Sequence, residues 1–210
     1  MTGDETFQRP YGAPIAVALT GASGAQYGVR LIECLVAAGR EVYVMISKAA
    51  HRVIAVETAF DLPAQPERLA EALSALCRAG PDQIRCFGRE DWMAPVASGS
   101  GRWRALVVCP CSTGTLSAVA CGASNNLIER AADVALKERR PLILVPRESP
   151  LSAVHLENML KLTQMGAVML PAAPGFYHQP QSVEDMIDFI VARVLNQLGI
   201  EQTLMPRWGE

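Results

Sequence analysis

The chain is 210 residues long, half of them hydrophobic and 19% charged, with a net charge of −2 at pH 7. The length predicts one domain with a substantial apolar core, and the charge balance excludes a strongly basic nucleic-acid binder or an acidic tail. No apolar stretch approaches the roughly 20 residues of a membrane helix, so no membrane span is expected. Six cysteines are present without a secretory leader, so the expected setting is cytoplasmic, with free thiols.

Residues 1–13 are polar and turn-prone and are expected to form a disordered tail, leaving 14–210 as one domain. The apolar run 15–20 reads as a buried strand, and Gly21-Ala-Ser-Gly24 turns it into a helix reaching about residue 38. Gly39 supplies a helix stop before a second strand at 41–47 and a helix over 48–58. The stretch 60–101 is less regular, with one helical segment at 66–78 and a loop that carries Trp92. Alternation resumes with a strand at 105–109, helical segments across 113–139, a strand at 142–145, a helix over 152–164 and a strand at 167–170. A last helix starts at Ser182, whose hydroxyl suits the amide of Asp185, and runs to about residue 198 before Gly199.

Strands apolar on both faces, alternating with helices about five times, predict a parallel sheet covered on both sides. With right-handed crossovers this is an α/β fold, a Rossmann-like (flavodoxin-like) doubly wound sheet. Ligands of such sheets bind beyond the carboxyl ends of the strands. That edge collects Gly21-Ala-Ser-Gly24, Ser47-Lys48, Pro110-Cys-Ser-Thr-Gly-Thr115, Pro146-Arg-Glu148 and Pro174-Gly-Phe-Tyr177.

Each motif has a plainer reading beside the functional one. Gly21-Ala-Ser-Gly24 is either a tight turn or a place where backbone amides approach an anion or a polarised ring edge. It is not GxGxxG, and no P-loop pattern occurs. Ser112, Thr113 and Thr115 around Gly114 suit a phosphate at a helix start, or simply cap that helix. Cys109-Pro-Cys111 lacks a second cysteine pair or a histidine pair, so structural thiols are expected and no metal. Arg130 and Lys137 fall on one helical face with Asp133, as a solvated face or as part of a site with Arg147 and Glu148. A buried Glu148 among those cations would be a proton-transfer group, and otherwise a member of a structural ion pair. Glu57 is compatible with surface or site, and His178 lies beside Tyr177 without an assignable role.

Taken in order, Thr20-Gly-Ala-Ser-Gly24, Pro110-Cys-Ser-Thr-Gly-Thr-Leu116, the block 126–140, Val145-Pro-Arg-Glu148, Pro174-Gly-Phe-Tyr177 and Pro206-Arg-Trp208 resemble the UbiX-like flavin prenyltransferases. The resemblance covers nearly the whole chain and is weakest over the tail and 60–104, Trp92 apart. It implies a Rossmann-like subunit in a homo-oligomer, a dodecamer built from trimers, with FMN between subunits. The implied reaction transfers a dimethylallyl group from dimethylallyl monophosphate to N5 and C6 of reduced FMN, without a metal. The prenylated FMN would pass to a UbiD-type decarboxylase, in ubiquinone synthesis or aromatic acid breakdown.

Carried over position by position, the resemblance implies FMN contacts from Gly21, Ala22, Ser23, Ser47, Ser112, Thr113, Gly114, Thr115, Arg130 and Arg147. Lys137, Arg147, Tyr177 and Arg193 would hold the dimethylallyl phosphate, Arg193 from a neighbouring subunit, with Trp92 and Trp208 near the prenyl group. Cations and donors suit the departing phosphate oxygens, and an aromatic face suits a developing allyl cation. Ser23, Glu57 and Glu148 would be the catalytic set, with Glu148 and Ser23 relaying protons. Two other readings accompany it: an FMN-dependent decarboxylase of the cysteine-decarboxylating group, and a non-catalytic FMN carrier. The chain lacks the former's Pro-Ala-Ser-Ala-Asn-Thr segment, and the latter leaves the phosphate-binding set without purpose.

Overall fold

The computed structural model describes residues 12–60 and 62–206, so most of the expected tail and Trp208 lie outside the described residues. The strands are β1 (Ile15–Leu19), β2 (Val42–Ile46), β3 (Ile84–Phe87), β4 (Ala105–Cys111), β5 (Leu142–Pro146) and β6 (Val168–Met169). Between them run α1 (Ala25–Ala37), α2 (Lys48–Glu57), α3 (Pro66–Cys77), α4 (Thr113–Ala120), α5 (Leu127–Lys137) and α6 (Ala153–Gln164), and α7 (Val183–Gln197) follows β6.

The strands form one sheet in the order β3-β2-β1-β4-β5-β6, and every pairing is parallel. This is the Rossmann order of the doubly wound class, with β1 and β4 at the point where the winding reverses. The sheet has one strand more than the sequence reading finds. β3 lies in the stretch read as irregular, because it is a four-residue edge strand with Arg85 exposed and Cys86 half-buried between Ile84 and Phe87.

Alternate side chains of β1 enter separate cores. Ile15, Val17 and Leu19 join α1, α3 and α7 on one face. Ala16 and Ala18 join Leu116 of α4, Ala131 and Ala135 of α5 and Leu162 of α6 on the other. A period of two would put Val107, Cys109 and Cys111 on one face. Instead Val107 and Cys109 face the first core and Cys111 the second, because the β4–β5 register shifts between Val108 and Cys111. Both thiols are free and fully buried, and burial pushes Cys111 up to about 12 and Cys109 higher still. Among the described residues, no helix is long and apolar enough to cross a membrane.

Candidate active site

Four helices start at the carboxyl edge of the sheet, each directly after a strand or an adjoining loop. α2, α4 and α5 are capped by their own preceding residues: Ser47 Oγ accepts from Ala50 N at 3.1 Å, Ser112 Oγ from Thr115 N at 3.3 Å, and Asn126 Oδ1 from Glu129 N at 3.1 Å. Each cap satisfies one amide and leaves others of the first turn without an intrahelical acceptor, among them those of Thr113 and Gly114. The positive ends of the helix dipoles therefore gather on one cleft.

α1 is built differently. Its N-cap is Gly24, at φ 102°, with no side-chain cap of its own. The missing acceptor comes from the end of α2, where Glu57 Oε2 accepts from Gly24 N at 2.8 Å and Ala25 N at 3.2 Å. Gln26 Nε2 donates to the Glu57 carbonyl at 3.0 Å and fixes the same junction. Burial pushes the Glu57 carboxyl up, but the Ser23 hydroxyl, the two amides and Arg147 outweigh it and hold the group below its ordinary range. Glu57 is thus a carboxylate at neutral pH.

Thr20 ties the first turn to the fourth strand. Its hydroxyl donates to the Pro110 carbonyl at 2.9 Å and accepts from Ser112 N at 2.7 Å. Arg147, at the end of β5, donates from Nε to the Ser23 carbonyl at 3.2 Å. Gly21 has no room for a side chain, since a Cβ there would lie 2.5 Å from the Cβ of Ala49. The turn can close over the start of α2 because residue 21 is glycine.

Two hollows flank this turn. The first, of about 330 Å³, is bounded by Gly21, Ser47, Ser112, Gly114, Thr115 and Asn126 over a floor of Met45, Phe87, Leu127 and Ile128. Lys48, Arg89 and Glu129 line it too, so its hydroxyls and amides stand beside two cations and a carboxylate over the apolar floor. The second, of about 430 Å³, is bounded by Ser23, Gly24, Gln26, Tyr27, Glu57 and Arg147, with Ala172, Val183 and Ile187. Its lining is charged. Tyr27 was not singled out in the sequence, although it stands one helical turn beyond Ser23; burial raises its phenol, Cys109 adds to this and Arg147 opposes it. Thr20, Gln26 and Asn126 were missed as well. Asn126 had a visible signal, a cap residue three before a glutamate.

The other expected site residues lie at varied distances from this pair of hollows. Ala22 is buried beneath the turn. Glu148 is exposed, not buried as the sequence reading supposes, and its carboxylate takes Ser149 N at 3.1 Å and the Thr113 hydroxyl at 3.5 Å. Tyr177 and Trp92 are 57% and 48% exposed on loops at the same edge. Arg130 donates to the Ala97 carbonyl at 2.9 Å and to Asp133 at 2.6 Å. Lys137 pairs with Glu138 ten residues beyond Leu127, about 15 Å along α5 from the cleft. Arg193 is exposed on α7, ten residues beyond Val183. A single chain does not bring Lys137 or Arg193 to the hollows.

The first hollow fits FMN by its donor set and shape: a closed glycine turn, unpaired amides and hydroxyls at helix starts, and an apolar floor broad enough for a ring.

Comparison with known proteins agrees with this geometry. The Flavoprotein family model matches residues 7–195. The flavin prenyltransferase UbiX of Pseudomonas aeruginosa is 68% identical over 196 residues, spanning 93% of this chain and 94% of that one. Among solved structures, AnUbiX (PadA1) in complex with FMN and dimethylallyl pyrophosphate superposes with a TM-score of 0.84 at 39% identity, over 94% of this chain and 98% of that one. A dodecameric FMN-dependent UbiX-like decarboxylase from Escherichia coli O157:H7 gives a TM-score of 0.83 at 40% identity, over 94% and 100%. Sequence, fold and cleft together make this chain a member of the UbiX family of flavin prenyltransferases.

Proposed function

We propose that the chain joins a dimethylallyl group from dimethylallyl monophosphate to reduced FMN, with the two ligands divided between the hollows on either side of the Gly21–Gly24 turn. The observation that carries this division is the turn itself: Gly21 lines the first hollow, while Ser23 and Gly24 line the second. Ser47, Ser112, Thr113, Gly114 and Thr115 are assigned to FMN, its phosphate on the hydroxyls and amides at the start of α4. Gly21, Ala22 and Ser23 are assigned to its ring edge. Reduced FMN supplies the nucleophilic ring atoms.

Arg147 is assigned to the departing phosphate. Its Nε is held by the Ser23 carbonyl, which leaves the terminal nitrogens for phosphate oxygens. Glu57, ionised and engaged with α1, keeps Ser23 in place and carries no proton to give at neutral pH. Glu148, exposed beside Thr113, is assigned the proton relay, where contact with ligand rather than burial in the chain would tune it. Tyr177, Lys137 and Arg193 complete the phosphate site, with Arg130 on the FMN side and Trp92 and Trp208 beside the prenyl group. Because Lys137 and Arg193 stand off from the hollows of their own chain, the reading includes a homo-oligomer, a dodecamer as in the Escherichia coli relative, in which copies exchange these cations. The product would serve a UbiD-type decarboxylase.

The test is anaerobic incubation with reduced FMN and dimethylallyl monophosphate, followed by mass analysis of the extracted flavin. The reading expects one dimethylallyl unit gained per flavin, and none without the protein. Unchanged FMN extracted from folded, flavin-loaded protein would overturn it. Dimethylallyl diphosphate in a parallel arm sets the donor, and the monophosphate is expected to react faster.

A further inference from the structure

His178 has no part in the reading above, yet it is packed as closely as any group at this edge. Its imidazole stacks on Phe189 of α7, with 5.3 Å between centroids and 23° between planes. Tyr177 meets the same two rings edge-on, at 5.7 Å from His178 and 5.8 Å from Phe189. Gly175 completes the seat, because a Cβ there would come within 3.0 Å of Tyr177 Cε1 and 3.1 Å of the Phe189 ring. Both imidazole nitrogens are buried and have no hydrogen-bond partner among the described residues. The nearby carboxylate of Asp185 is turned instead to the amides of Gln181 and Ser182, at 2.7 and 3.2 Å.

Buried polar atoms are ordinarily paired, so two orphaned nitrogens on one ring call for a reason. A ring whose nitrogens bind nothing contributes through its flat faces and edges. Edge-to-face and stacked contacts have preferred geometries, and a stack on one side with an edge contact on the other fixes a neighbour's orientation. We propose that His178 is a positioning residue for Tyr177: it acts as an aromatic spacer between α7 and the phenol, and sets where that phenol meets the phosphate of the dimethylallyl donor. The proposal rests on the assignment of Tyr177 to that phosphate. It assigns His178 no proton transfer.

The experiment measures KM and kcat for dimethylallyl monophosphate, with FMN affinity alongside, in His178→Ala, His178→Phe and Tyr177→Phe. His178→Ala is expected to raise KM about tenfold, the scale of a mis-set charge-assisted hydrogen bond, with kcat and FMN affinity close to the parent. His178→Phe keeps the ring and removes the orphaned nitrogens, so it is expected to restore KM to within about twofold. A phenylalanine variant as impaired as the alanine one would overturn the proposal, since the nitrogens would then be needed. A raised KM in Tyr177→Phe with a parental KM in His178→Ala would overturn the positioning and leave the Tyr177 assignment standing. A parental KM in Tyr177→Phe would remove that assignment and the proposal with it. If His178→Ala does not fold, His178→Leu takes its place, because it fills the same space without a flat ring to stack on Phe189. There a raised KM supports the proposal and a parental KM contradicts it.

Discussion

The two hollows beside the Gly21–Gly24 turn are neighbours assembled in different ways. The one under α4 and α5 is lined by hydroxyls, amides and apolar floor residues together with Lys48, Arg89 and Glu129, and its cap hydroxyls and amide come from short local motifs, a cap residue followed by its own helix. The other is charged, and its groups come from distant parts of the chain: Glu57 reaches Gly24 across 33 residues, and Arg147 reaches Ser23 across 124. Donors at helix ends suit a ligand held throughout the reaction, whereas an arginine beside a fixed carboxylate suits a group whose charge changes. On the proposed reading, retention and reaction are separated by one turn of backbone.

The largest effect should follow from abolishing that separation. Gly21→Val would drive its Cβ against Ala49, 2.5 Å away, and force the turn off α2. Overpacking of this kind costs about 1–3 kcal/mol. Flavin binding should be lost along with prenyl transfer, as read by FMN titration beside a thermal melt.

Arg147→Met should break only the charged side. Prenyl transfer is expected to fall about a hundredfold, the scale of a lost transition-state cation, while FMN affinity stays within about threefold by titration. Ser112→Ala should act in reverse. Loss of the cap costs about 1 kcal/mol and weakens FMN binding about tenfold, while turnover of flavin-saturated protein stays near the parent.

Glu57 sharpens the comparison through pH. Its carboxyl lies below the ordinary value of 4.5 in the fold, so it contributes stability that is present above about 4.5 and is lost as pH falls through the lower, folded value. Glu57→Gln should therefore lower the melting temperature at pH 7, and the gap to the parent should close as the pH drops below 4.5. A gap that stays constant with pH would show that the carboxylate's charge is not what holds α1.

How much of this was legible in the sequence follows the same division. The caps at Ser112 and Ser182 were readable because a cap and its helix are adjacent, and so was the list of strand ends. β3 was not readable, since a short edge strand with Arg85 exposed lacks the apolar run that marks the buried strands. The facing of Cys111 depends on a register shift against β5, which no local pattern reports. Glu57 was visible as a late-helix acid, but its engagement with Gly24 depends on how α1 and α2 pack. Lys137 and Arg193 matched a family pattern while lying away from their own cleft, because a sequence pattern carries no distances.

The division of labour between the hollows is tested most directly by the structure of the chain with FMN, and then with dimethylallyl monophosphate added. The account predicts the FMN phosphate on the hydroxyls and amides of Ser112, Thr113 and Thr115, and the second phosphate within hydrogen-bond distance of Arg147. An FMN phosphate held by Arg147, with the donor lying under α4, would contradict it.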